Sequence, residues 1–218
     1  MSRIFFSLAL FATLLLVTTM VLGLNIGDYN GPYQRVLKIQ QELTTGDSSS
    51  RTAEKVEAAE ETIDQLFDDL APMRSRSSLH KMVSILAAIV TVLVNSIAVT
   101  YFIGTSRWCK EVAAAYELDE DFVKRSVKIK RRSFPWSFLG IMTTLGIIAL
   151  GAASDPATLR SNTAAWVQPH MWAAFGGIAL IAASFVVQML KIQDHSAVVE
   201  EMLAKVREIR LERGLEVE

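Results

Sequence analysis

The sequence predicts an all-α integral membrane protein: a four-helix bundle with an extramembrane helical hairpin on one side and cytoplasmic helical extensions on the other. Three observations carry that prediction. Hydrophobic residues make up 51% of the 218-residue chain, and its mean hydropathy is positive. The 22 basic and 23 acidic side chains are clustered, leaving four uncharged gaps near the length that crosses a bilayer core, roughly 20 residues. Within the gaps, polar and small residues recur at steps of three and four, the spacing of one helical face.

Residues 1–24 read as a first transmembrane helix or signal anchor. Met1, Ser2 and Arg3 give a short basic start, and the uncharged run 4–24 exceeds the roughly 7–15 residues of a signal h-region. Val21, Leu22 and Gly23 make only a passable cleavage site, so the reading taken is a retained helix.

Residues 25–78 read as an extracytoplasmic helical hairpin. Gly27, Gly31 and Pro32 stop the first helix. A helical pattern at 33–43 ends at Thr44, Thr45 and Gly46, and a second begins after Asp47, Ser48, Ser49 and Ser50, a cluster of N-cap candidates. In the second helix Val56, Ile63, Phe67 and Leu70, with Ala53 and Ala59, form an apolar seam, while Glu54, Glu57, Glu61, Asp64, Asp68 and Asp69 stay wet. That seam must be covered, by its shorter neighbour or by a partner protein. The acidic run has no EF-hand spacing and reads as a solvated face.

Residues 79–104 are the second transmembrane helix. His80, Ser84, Ala88, Thr91, Asn95 and Ala98 fall on one of its faces, which should meet protein rather than lipid. The helix is expected to run on to Tyr116 and break near Leu118, with Asp119 capping a further short helix. Residues 105–133 form a basic cytoplasmic linker. Its Cys109, the only cysteine, excludes an intramolecular disulfide and reads as a small apolar residue at the membrane boundary, with palmitoylation as the alternative.

The third transmembrane helix is 134–153, with Pro135 expected in its first turn. Ser137, Gly140, Thr144, Ile148 and Gly151 give it a face for close packing. A short outer loop, 154–169, leads to the fourth transmembrane helix at 170–190, whose His170, Ala174, Gly177, Ile181, Ser184 and Gln188 repeat the stripe of the second span as a weak internal likeness. Residues 191–218 form a cytoplasmic amphipathic tail helix of coiled-coil type, with Val199, Met202, Val206 and Ile209 on one side and a stop at Gly214.

Charge sets the orientation in a cell membrane. Arg107, Lys110, Lys124, Arg125, Lys128, Lys130, Arg131 and Arg132 lie between the second and third spans, against Arg160 alone between the third and fourth. The first loop is therefore inside, and a multi-pass chain with cytoplasmic N- and C-termini follows.

With that topology His80 and His170 enter at similar depth on parallel helices. Two inward imidazoles provide the axial ligands of a b-type haem, which makes this pair the candidate cofactor site. The bland alternative is two interfacial histidines that meet water or backbone carbonyls. Asn95 lies about 22 Å along the helix from His80 and reads as a helix bridge, as does Gln188. His195, beside Asp194 on the inner side, has no part in the pair.

The function classes narrow accordingly. A net charge of −1 gives no reason for a nucleic-acid partner. No phosphate loop, zinc-protease helix or nucleophile elbow is present, so the reading is not an enzyme. The span interiors lack Asp, Glu, Lys and Arg, which weighs against ion-coupled transport. The first expectation is a structural or accessory protein that meets membrane lipid and presents helical surfaces to a protein partner, or to further copies of itself, on both sides of the bilayer. A redox protein holding haem b between His80 and His170 is the second. The third is a small transporter or channel lined by Ser84, Thr91, Asn95, Ser184 and Gln188.

Overall fold

The computed structural model describes residues 2–45, 52–158, 160 and 162–215. Among them the chain is helical throughout, with α1 at Ser2–Leu24, α2 at Asn30–Thr45, α3 at Ala53–Tyr116, α4 at Glu120–Ser154, a 3-10 turn at Pro156–Thr158 and α5 at Ala164–Glu212. Helices α1, α3, α4 and α5 are each long and apolar enough to cross a membrane. The expected capping cluster Asp47–Ser50, and Gly46 before it, lie outside the described residues.

Local chemistry sets each boundary. Helix α1 ends where the Asn25 side chain donates to the Val21 carbonyl at 2.7 Å and Gly27 turns left-handed at φ 86°, a conformation open to glycine at no steric cost. Helix α2 starts earlier than expected because Asp28 Oδ1 accepts from the Gly31 N–H at 3.0 Å, and Pro32 fits a first turn, where its missing donor costs nothing. The outer helix and the second span are one helix of 64 residues. Pro72 is the only breaker between them, and it sits on the exposed side, where water satisfies the carbonyl it leaves open.

Helix α3 closes with the Leu118 N–H on the Ala113 carbonyl at 2.9 Å, around Glu117 at φ 51°. Helix α5 closes the same way, Leu215 N–H to Arg210 carbonyl at 2.9 Å, around Gly214 at φ 66°. This is the left-handed stop that glycine favours. Asp119 Oδ1 caps α4 through the Asp121 N–H at 2.8 Å, but the capped helix is not short, since it runs on through the third span. Pro135 and Pro169 are therefore interior to α4 and α5, not in first turns. Both are exposed.

The chain divides into two compact units. One comprises Met1–Leu14, Ala88–Leu145 and Gly177–Glu218; the other comprises Leu15–Ala87 and Gly146–Gly176. In the first, Phe5 packs edge-on against Phe185 at 6.3 Å. The tail seam is covered within the chain: Met202 is buried with Cys109 and Ala113, and Trp108, Val112, Phe122 and Val199 pack around them. No outside helix is needed there. In the second unit α2 is held by its first residue, where Asn30 Nδ2 donates to the Ser154 carbonyl at 3.1 Å and Asn30 Oδ1 accepts from Thr163 at 2.6 Å. Lys81 pairs with Asp155 at 2.7 Å. Along the acidic helix Leu70 is buried, Val56 and Ile63 are half-buried, and Phe67 is exposed.

The faint likeness of the second and fourth spans becomes a repeat in the structure. Position for position, 80–104 and 170–194 share one pattern of buried, half-buried and exposed residues. So do 5–18 of α1 and 133–146 of α4. The pair α1 and α3 thus corresponds to the pair α4 and α5. One face assignment needs correcting: Ile148 is 47% exposed, and Ile147 is the half-buried residue one step before it. A helix of 3.6 residues per turn carries the buried face from Thr144 to 147 and then to Gly151.

Truncating Met202 to Ala removes a fully buried side chain and is expected to cost about 2–4 kcal/mol, whereas Leu211→Ala, at a residue 67% exposed, should change stability by less than about 0.5 kcal/mol. Thermal unfolding of the purified protein measures both.

Candidate functional site

His80 and His170 occupy equivalent positions in the repeat, both in the unit that contains α2. Each imidazole lies over a glycine of a neighbouring helix. A Cβ on Gly23 of α1 would stand 3.0 Å from His80 Cε1, and a Cβ on Gly151 of α4 would stand 3.1 Å from His170 Cε1. In both seats Cε1 is nearest, then Nδ1, then Nε2, so the two rings adopt the same pose.

The hydrogen bonds fix a tautomer. His80 Nδ1 is 2.9 Å from the Thr19 carbonyl oxygen. A carbonyl only accepts, so Nδ1 carries the proton and the lone pair of the neutral ring is left on Nε2. Ile147 stands in the place of Thr19 on the neighbouring helix. One to two turns inward of the histidines the side chains are small: Ser84 and Ala87 on α3, Ala174 on α5.

Residue identity sharpens the comparison. Between 80–104 and 170–194, histidine at the first position is the only residue type shared at equivalent places. Thr91 corresponds to Ile181, Asn95 to Phe185 and Ala98 to Gln188. On α1 and α4 the inward positions likewise differ, as Phe5 and Ser133 or Leu16 and Thr144 do, until the shared Gly23 and Gly151. The two halves keep little in common on this face beyond an imidazole seated on a glycine and the half-buried leucine before that glycine, Leu22 and Leu150.

The other unit holds two buried polar clusters. In the first, Gln188 Nε2 donates to Asn95 Oδ1 at 3.0 Å and Gln188 Oε1 accepts from Ser137 at 2.9 Å, while Asn95 Nδ2 donates to the Thr91 carbonyl at 2.9 Å. Gly140 makes room, since a Cβ there would stand 2.8 Å from Asn95 Oδ1. Asn95 and Gln188 therefore bridge three helices and spend their polar atoms on one another. Thr91, Asn95, Ser184 and Gln188 are fully buried, so these groups line no open passage.

The second cluster surrounds His195, which sequence reasoning passed over. Its ring is fully buried, edge-on to Tyr101 at 5.6 Å and to Phe102 at 5.7 Å. Ser126 lies 2.8 Å from Nε2 and donates onward to Ser106 at 3.0 Å. Nε2 is thus the donor, leaving Nδ1 to accept from the Tyr101 hydroxyl at 3.4 Å. Burial holds His195 below its ordinary proton affinity. It also pushes the thiol of Cys109 up, and full burial leaves that thiol closed to acylation.

No known protein family, curated protein or solved structure matches this chain. Among the described residues no group of three His, Cys, Asp or Glu side chains is placed to hold a metal ion. A bare ion has no cage here. Sequence reasoning also missed Thr19, Gly23 and Gly151, because what they contribute to the histidines is a carbonyl and an empty space rather than a side chain.

Two outcomes test these clusters. A double-mutant cycle on Asn95→Ala and Gln188→Ala should give a coupling of about 0.6 kcal/mol and not above about 2 kcal/mol, read from unfolding in detergent. The pH dependence follows from burial of His195. Unfolded His195 takes up a proton as pH falls through about 6.5, and the folded ring does so only at lower pH. Stability is therefore full above that pH and falls below it by at most about 1.4 kcal/mol per pH unit. His195→Gln should flatten that part of the profile of unfolding temperature against pH.

Proposed function

We propose that this chain is a membrane-embedded redox protein that carries a b-type haem between His80 and His170. The observation that carries the reading is the repeated seat. Two halves that differ at nearly every other buried position both place a histidine over a glycine in one pose. Porphyrin fills four coordination positions, so a haem iron asks the protein for two axial ligands, which is the number this pair supplies.

His80 and His170 would ligate through Nε2. The Thr19 carbonyl, by taking the Nδ1 proton of His80, fixes that ring and makes its other nitrogen the better donor. The side chains inward of the histidines, Ser84, Ala87 and Ala174, are small. Arg76 and Arg74, within two turns of His80 along α3, are cations for the ring's carboxylates. A bound haem supplies reversible one-electron transfer. Helices α1, α3, α4 and α5 form the bundle in the bilayer, with both termini on the cytoplasmic side and α2 outside, as the basic 107–132 segment directs.

A second reading keeps the protein as an accessory partner-binding bundle. It is favoured by an open groove of about 650 Å3 lined by Tyr29, Tyr33, Phe67, Arg74 and Met82 among others, where Phe67 is 41% and Met82 69% exposed. The tail seam no longer supports it, being filled from within the chain.

Detergent-purified protein with haem supplied in excess should show a Soret band and, on reduction, a sharp α band. The doubly substituted His80→Ala, His170→Ala chain should show neither. A colourless wild-type protein under those conditions would overturn the proposal.

A further inference from the structure

We infer that α4 carries a binding site for an anionic phospholipid where it enters the bilayer: Lys128, Arg131 and Arg132 hold the phosphate, and Phe138, Leu139 and Met142 lie against the acyl chains. The inference is independent of the haem reading and rests only on α4 crossing the membrane.

The basic residues at this end of α4 are of two kinds. Lys124 and Arg125 are already neutralised, by Glu120 at 2.9 Å and by Glu201 at 2.6 Å. Lys128, Arg131 and Arg132 are exposed, and among the described residues none of them has an ion pair or a side-chain hydrogen bond. Their helical neighbours offer no relief, because no acidic residue stands three or four positions from any of the three.

What stands there instead is more positive charge. Arg131 and Arg132 follow Lys128 at steps of three and four, so the three cations share one face of the helix and repel one another. A single anion that meets all three removes that repulsion. Phosphate suits the set, since a guanidinium offers it paired N–H donors and an ammonium a compact charge.

The rest of the helix identifies the molecule that carries the phosphate. Because α4 is continuous from Glu120 to Ser154, the face with the cations runs without a break into the span. There Phe138 is 55%, Leu139 38% and Met142 41% exposed. They lie roughly 10 to 16 Å below Arg131 along the helix, inside one leaflet of a hydrocarbon core about 30 Å thick. Free phosphate would use the cations alone, whereas a phospholipid uses both parts of the stripe.

Helix α1 supplies the contrast. It keeps Arg3 in the place of Arg131, and the exposed Leu10, Phe11 and Leu14 in the places of the three apolar residues, but has Ile4 in the place of Arg132. The apolar face is common to both halves. The paired arginines belong to α4.

The test is binding of phosphatidylglycerol to the full-length protein purified in a neutral detergent, read by native mass spectrometry, with phosphatidylcholine and inorganic phosphate as comparison probes. A cation beside an anionic headgroup contributes roughly a fivefold gain, so phosphatidylglycerol should bind at least about tenfold more tightly than phosphatidylcholine. Inorganic phosphate should not displace it. Arg131→Gln should weaken phosphatidylglycerol binding about fivefold, whereas Lys124→Gln, an equal loss of net charge at a cation already paired, should change it by less than about twofold. Phe138→Ala with Met142→Ala should weaken binding of both lipids. Equal affinity for the two lipids, displacement by inorganic phosphate, equal loss in the two charge variants, or unchanged binding on truncating Phe138 and Met142 overturns the inference. Should Arg131→Gln fail to fold, Lys128→Gln with Arg132→Gln takes its place, and a retained preference for phosphatidylglycerol overturns the inference.

Discussion

A histidine ring can come this close to a neighbouring helix only where that helix carries no Cβ, and His80 and His170 each depend on this. Gly23 and Gly151 leave contacts of 3.0 and 3.1 Å to the positions their Cβ atoms would fill, tighter than ordinary van der Waals spacing. Any side chain there would push the ring away and, at Gly23, pull His80 off the Thr19 carbonyl. Gly140 applies the same rule to Asn95. Small residues admit a close backbone approach, and the approach puts a carbonyl or an amide within reach of a polar side chain.

The polar interior obeys a second constraint, that a buried donor or acceptor must find a partner. Gln188 satisfies it by joining Asn95 and Ser137, and His195 by joining Ser126 and Tyr101. Thr91 Oγ1 and Ser133 Oγ do not. A helical threonine or serine hydroxyl has its own turn of backbone within reach. An imidazole projecting between helices must take its partner from a neighbouring helix, as His80 does from Thr19.

Much of the fold was legible in the sequence. The four apolar gaps, the break near Asp119 and the inward stripes with Asn95 and Gln188 come from period and charge, which reflect burial directly. What the sequence hid was continuity and emptiness. The outer helix and second span fuse because Pro72 costs little on a wet face, and no local pattern distinguishes that from a break. His195 looked like a charged-tail residue beside Asp194, yet steps of three and four from Gln188 through Ile192 to His195 carry the buried face onward. Ile148 was misplaced by one residue through counting a step of four where the helix takes three. The glycine seats were invisible because they act by absence.

Repeats inside one chain usually blur first where nothing depends on identity. Here nearly everything at the buried face has changed between the halves: Asn95 against Phe185, Ala98 against Gln188, Phe5 against Ser133. Those exchanges keep the helices packed because volume and exposure, not chemistry, are what packing requires. An imidazole over a glycine is a poor packing solution in an apolar interior, since it brings two nitrogens that must be satisfied and a helix surface with no side chain to bury. Both halves nonetheless carry it, so here, unlike at the exchanged positions, side-chain identity goes with the close approach of the two helices.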